Sequence, residues 1–249
     1  MSVRKQGRRS AETAEATKYQ ILCVAAKMFC TLGYERVSLR NISESAGVSH
    51  SLIRHHFGSK EQIWYAISDK LHEYMQDYIF GLLEKMDSDL KANERLYQFC
   101  VHLHAHMLLI PEPIQFTAET VRQEGEFFDY FVDCHGEIEH VFDELIDEYN
   151  KDNPENPVDM WEQKWILIGS AHAATSLKPL LKTVWPDQKG DEQKLLKKHW
   201  DLYNKQVASS FHVEEDKMIF PEDLSSLLLP VAEAWKEALS CTEKCREEN

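Results

Sequence analysis

Between Ser38 and Lys60 the apolar positions fall into two short helical patterns separated by a glycine. Leu39, Ile42 and Ala46 recur at helical spacing and give the first helix one apolar face. Gly47 follows at once, a residue suited to the left-handed backbone that ends a helix. Ser49 is placed to cap the next helix by accepting from a free backbone N–H. Ile53 and Phe57, four apart, give that second helix a buried side, which leaves His50, Ser51, Arg54 and His55 facing mostly outward. Upstream, Ile21, Leu22, Val24, Ala25, Met28, Phe29 and Leu32 form a broad stripe that predicts a helix from about Ser10, ended by Gly33. Downstream, Ser59 caps a long helix over 60–86, in which Ile63, Trp64, Ile67, Leu71, Tyr74, Met75, Tyr78, Ile79 and Leu82 keep the period.

Past residue 88 no strand alternation and no repeat occurs. Prolines punctuate periodic segments, and the pattern predicts helices near 91–109, 113–123, 126–150, 158–184, 191–209 and 222–243. Pro179 and Pro230 fall inside two of these and should kink them or shift their starts. The expected fold class is all-α, with a three-helix N-terminal domain over 10–58 and a larger helical body over 59–249. Residues 1–9, with Arg4, Lys5, Arg8 and Arg9 and almost nothing apolar, are expected to be a flexible basic arm, either following a DNA backbone or simply solvated.

A short helix with a polar, partly cationic outer face, propped on a partner through a glycine turn, is a helix-turn-helix, and its second helix fits a DNA major groove. Charge supports this placement. The chain carries a net charge of −14, but residues 1–60 alone carry +6 and the remainder −20. A basic head on an acidic body is what is expected if only the head meets phosphate.

The run Gly33-Tyr34, Ser38-Leu39-Arg40-Asn41-Ile42, Ala46-Gly47-Val48-Ser49 and His56-Phe57-Gly58-Ser59-Lys60-Glu61 resembles the N-terminal domain of the TetR family of transcriptional regulators. The resemblance covers roughly the first quarter of the chain and combines several spaced elements. It implies a homodimeric, ligand-responsive regulator, a repressor released from a double-stranded DNA operator by a small-molecule effector. Carried onto this sequence, the DNA-binding residues are Ser38, Arg40, Ser49, His50, Ser51, Arg54, His55 and Lys60. Arg54 stands where the family commonly has Tyr, and Leu52 where Thr or a small residue is frequent, which bears on the base sequence read. The resemblance also makes the 60–86 helix the mechanical link between head and body.

In the body, Phe99, Leu103, His106, Met107, Phe116, Phe127, Phe131 and Trp165 are the candidate walls of an effector pocket, although such residues suit an ordinary core equally well. Two stripes are candidates for a dimer interface: Trp161, Ile168 and His172 in one helix, and Leu228, Val231 and Trp235 in another. Internal burial would give the same patterns. His102 and His106 share a helical face, with Cys100, Cys134, His135 and His140 as further conceivable ligands, but three histidines at spacing two cannot share one face, so no metal site is assigned.

The six cysteines form no CxxC pair, and Cys23 and Cys30 read as small core-side residues. No signal peptide or long apolar run occurs, so the expected location is cytoplasmic, with no membrane partner. No glycine phosphate loop, GxSxG or HExxH appears, so neither catalysis nor a cofactor is expected. The alternatives are a helical interaction or scaffold protein that keeps the head as a fold only, and a metal- or redox-sensing regulator.

Overall fold

The computed structural model describes residues 3–123, 125–133, 136–188 and 190–231. These form eleven α-helices joined by short turns, with no strand among the described residues. The head comprises α1 (Val3–Leu32), α2 (Leu39–Ala46) and α3 (His50–Phe57). Helix α4 (Lys60–Lys85) leaves the head and enters the body. The body continues with α5 (Ala92–Leu109), α6 (Glu112–Gln123), α7 (Glu126–Asp133), α8 (Gly136–Asp152), α9 (Met160–Ser176), α10 (Lys178–Val184) and α11 (Glu192–Ser210).

Three elements differ from the sequence expectation. Helix α1 begins at Val3, so the segment expected as a basic arm is helical. Residues 3–18 lack an apolar stripe but are rich in Ala, Glu, Lys and Arg, whose intrinsic preference extends a helix without burial. Within the helix expected over 126–150, Glu126–Asp133 and Gly136–Asp152 are helical, and residues 134 and 135 between them lie outside the described residues. The 158–184 segment divides at Leu177, with Pro179 in the first turn of α10, where its missing N–H is harmless. The helix expected from 222 is instead a 3-10 turn over Leu224–Leu227, started by Asp223, whose Oδ1 accepts from Ser225 N at 2.8 Å. Helical backbone resumes at Pro230, and Trp235, Cys241 and Cys245 lie outside the described residues.

Two cores organise the chain. The head core gathers Ile21, Phe29, Ile42, Ile53 and Phe57 around Trp64 and Ile63 of α4. It also includes Phe116, which α6 contributes from the body. The body core is built on α5, which packs against α8, α9 and α11. Trp200 Nε1 donates to Val101 O at 2.9 Å, and Tyr97 OH donates to Asn204 Oδ1 at 2.6 Å, so these buried polar groups are satisfied across α5 and α11. Helix α6 touches α1 on one side and α9 on the other, which places it between head and body.

Candidate DNA-reading helix and body cavity

The helix-turn-helix is fixed by its ends. Ser38 and Asn41 form a reciprocal cap: Asn41 N donates to Ser38 Oγ at 3.2 Å, and Ser38 N donates to Asn41 Oδ1 at 3.0 Å. Gly47 ends α2 in the left-handed region (φ 66°), and Ser49 Oγ accepts from Leu52 N at 3.2 Å to start α3. Ile53 and Phe57 sink into the head core. His50, Ser51, Arg54 and His55 are all exposed along α3. The α3 side chains expected to meet DNA therefore share one solvent-facing surface.

The remaining residues of that set differ in their engagements. Ser38 and Ser49 are exposed, but each is committed to a cap. Arg40 is exposed and pairs with Glu44 at 2.8 Å. Lys60 turns back on the head: its ammonium donates to Tyr34 O at 3.0 Å and lies 3.9 Å from the Tyr34 ring centroid.

A seam joins this head to α6. Trp64 stacks on Phe116 with ring centroids 4.2 Å apart, and Phe127 packs edge-on against Tyr34 at 4.9 Å. Glu119 is only 3% exposed. Its Oε1 accepts from Tyr34 N at 2.6 Å and from Gln123 Nε2 at 2.9 Å, and its Oε2 accepts from Arg122 Nε at 3.0 Å. Gly33 (φ 84°) brings the chain close enough that an added Cβ would lie 3.3 Å from Glu119 Oε1. Sequence reasoning missed Glu119 because a carboxylate in a polar helix reads as surface.

The body carries a cavity of about 630 Å³ that opens to solvent beside Trp161 and Trp165. Its walls are Leu71, His72 and Met75 of α4, Leu103 and Met107 of α5, Ile114, Thr117 and Val121 of α6, and Phe142 and Glu139 of α8. Helix α9 adds Trp161, Lys164, Trp165 and Ile168, and α7 adds Phe128. Size and apolar lining match a small-molecule site. Of the expected pocket residues, Leu103, Met107 and Trp165 do line it. Phe116 and Phe127 belong to the head seam instead, because α6 and α7 turn these rings toward Trp64. Phe99 is spent in the core, edge-on to Phe142 at 5.0 Å. His106 faces away, with Nε2 and Tyr74 OH 2.6 Å apart, and the side chain of Phe131 lies outside the described residues.

The dimer residues are likewise redistributed. Trp161 and Ile168 line the cavity, and His172 is half-buried, with Nδ1 and Ser176 Oγ 3.1 Å apart. Leu228 and Val231 pack on the body core. The outward apolar residues of α9 and α10 are Trp161, Trp165, Ile166, Leu180 and Val184, with Leu177 between the two helices, and both tryptophans also line the cavity.

Nor do the histidines of α5 converge. His102 Nδ1 lies 2.8 Å from Gln98 O, and His104 Nε2 lies 3.0 Å from Ser170 Oγ. Burial pushes the imidazole of His106 down to about 3 and holds His104 well below its ordinary value, so both are neutral. No group of three or more His, Cys, Asp and Glu able to hold a metal occurs among the described residues. Burial also pushes the Cys100 thiol up to about 12 and Cys23 to about 11, which keeps both protonated and unreactive.

Residues 21–67 match the family described as bacterial regulatory proteins, tetR family. The head belongs to the TetR family. Over 100 residues the chain is 31% identical to the HTH-type transcriptional repressor AcnR of Corynebacterium glutamicum, covering 39% of this chain and 53% of that protein. It is 39% identical over 66 residues to the HTH-type transcriptional regulator TtgR of Pseudomonas putida, covering 26% of this chain and 31% of that protein. The chain thus spans about half the length, or less, of these curated relatives, and the likeness is centred on the TetR-family head.

Among solved structures, AibR in complex with isovaleryl coenzyme A and operator DNA superposes with a TM-score of 0.55 at 19% identity, over 77% of this chain and 96% of that one. A tetR-family regulatory protein from Rhodococcus RHA1 gives a TM-score of 0.52 at 22% identity, over 77% of this chain and 96% of that one. These likenesses establish that the fold beyond the TetR-family head is shared as well. No described helix is long and apolar enough to cross a membrane.

Proposed function

We propose that the protein is a homodimeric DNA-binding transcriptional repressor whose operator affinity is set by a small molecule in the body cavity. The observation that carries this reading is the exposed row His50, Ser51, Arg54 and His55 on a helix whose other face is locked into the head core. Such a helix enters a major groove with side chains free for base edges, and Arg pairs bidentately with guanine. The +6 charge of residues 1–60 against −20 for the remainder orients the head toward phosphate. The outward apolar face of α9 and α10 supports a subunit contact, since a patch rich in Trp165, Leu177 and Leu180 is costly in water.

Helix α6 is the element through which the cavity reaches the head. Ile114, Thr117 and Val121 line the cavity, while Phe116 and Glu119 hold the head seam. A ligand that shifts α6 moves the two reading heads out of register with the groove, provided it binds the two conformers unequally. The DNA arm of the proposal is tested in a mobility-shift assay with a duplex selected by the protein. Arg54→Ala should weaken specific binding by about 1–3 kcal/mol and relax preference at its base. Unchanged affinity with unchanged preference removes Arg54 from base reading.

A further inference from the structure

Helix α3 reads HSLIRHHF: one permanently charged side chain, Arg54, stands among three histidines, with no carboxylate. His50, Arg54 and His55 are exposed, opposite the buried Ile53 and Phe57. His56 is half-buried, its ring centroid 5.5 Å from that of His55. The two other permanent cations expected at the operator are engaged within the head. Arg40 pairs with Glu44 at 2.8 Å, and the Lys60 ammonium donates to Tyr34 O at 3.0 Å while sitting over the Tyr34 ring. Beyond a single guanidinium, the charge that α3 can turn toward DNA therefore depends on its imidazoles.

Helix α3 packs mainly on α2 and α4. The charged groups near it on those helices are Arg40 and Glu44 of α2, paired with each other, and Lys60 and Glu61 in the first turn of α4. A hydrogen bond from the Ser59 hydroxyl holds the Glu61 carboxyl below its usual value, so that carboxylate is occupied. Among the described residues no ion pair engages His50 or His55. Histidine is the side chain that changes charge near neutral pH. A neutral imidazole offers one N–H and one lone pair, whereas the imidazolium offers two N–H donors and a positive charge. A duplex, with one negative charge per roughly 1.7 Å of axis, favours the charged form.

Resting on the DNA-binding reading above, we infer that His50 and His55 meet the operator as imidazolium ions, so that the protein takes up protons as it binds DNA. By linkage, protons and operator each strengthen the binding of the other. Operator affinity rises as pH falls through the neutral range, a dependence that a reading face charged only by lysine and arginine lacks.

The test uses the full chain and a duplex that the protein enriches from a random pool at pH 7. Affinity is read by fluorescence anisotropy at fixed salt from pH 8 to pH 6. An imidazole favoured by one pKa unit on DNA contributes about sixfold over that range, and the inference expects the two subunits together to gain at least about tenfold. The salt slope should steepen too, by about 0.9 for each phosphate that an imidazolium meets. The double variant His50→Gln, His55→Gln keeps side chains that hydrogen-bond but do not ionise. It should bind at pH 8 and lose most of the gain at pH 6. If circular dichroism shows the double variant unfolded, the single variants decide, each expected to lose part of the gain. Acidification of the buried His104 and His106 weakens the fold, which opposes the gain and does not imitate it.

Equal affinity at pH 8 and pH 6 overturns the inference, as does a wild-type profile that the glutamine variants keep in full. Either result leaves the DNA-binding reading standing. Failure to bind any duplex at either pH refutes that reading and the inference with it.

Discussion

Replacing Glu119 with Ala removes the single body carboxylate that receives the Tyr34 amide of the head. The magnitude follows from its surroundings. Tyr34 N donates to Oε1 at 2.6 Å in a buried site, so truncation leaves that N–H without an acceptor. A hydrogen bond to a charged group contributes about 1.5–3 kcal/mol, and an orphaned buried donor costs a similar amount. The Arg122 contact adds less, about 0–1 kcal/mol, because its side chain is 63% exposed and water replaces the carboxylate. Glu119→Ala should therefore loosen the head–α6 seam by about 2–3 kcal/mol.

Hydrogen exchange reads this locally. Protection of the Tyr34 amide should fall by about thirty- to a hundredfold, at about 1.4 kcal/mol per factor of ten, while the α5 and α11 amides of the body core change little. Glu119→Gln should fall between, since its one oxygen can still accept from Tyr34 while its amide faces the Arg122 donors. Unchanged protection at Tyr34 in the alanine variant, or an equal loss across the body core, would refute the claim that this carboxylate fastens head to body.

Phe116→Ala should destabilise the protein by about 3–5 kcal/mol, because it empties the stacked partner of Trp64; urea unfolding measures it. The loss should appear in the head, although Phe116 belongs to a body helix, and loss confined to the body core would contradict the assignment. His106 sets a pH dependence. Its folded-state pKa of about 3 lies below the ordinary value of 6.5, and in the unfolded chain the imidazole protonates first. Its contribution is thus fully present above about pH 6.5 and is lost as pH falls toward 3, at up to about 1.4 kcal/mol per pH unit. Fully buried His104 adds a loss of the same sign. Denaturant midpoints that hold constant from neutral pH down to pH 5 would show that neither imidazole is buried neutral.

The helix-turn-helix was legible because its signals are local: Ser38 and Ser49 as caps, Gly47 as a left-handed stop, and Ile53 and Phe57 as the buried pair. The cavity and seam were less so, because periodicity shows that a helix buries a stripe but not against what. Helix α6 turns two faces inward, one to the cavity through Ile114 and Thr117 and one to the head through Phe116, and the sequence alone does not divide them. Helix α9 carries apolar residues on most of its sides, so Leu167 in the body core looks the same in sequence as Ile166 on the outside. Glu119 is hidden by its type: only the approach of Gly33 and Tyr34 makes a buried carboxylate useful there.

The account rests on two copies of α3 reading duplex DNA together, and selection from a pool of random duplexes measures that most directly. The enriched fragments should carry an inverted repeat with half-site centres about one helical turn, or a multiple of it, apart. Their affinity should fall steeply as salt rises. Enrichment of an unrepeated site, or no enrichment at low salt, would contradict the account.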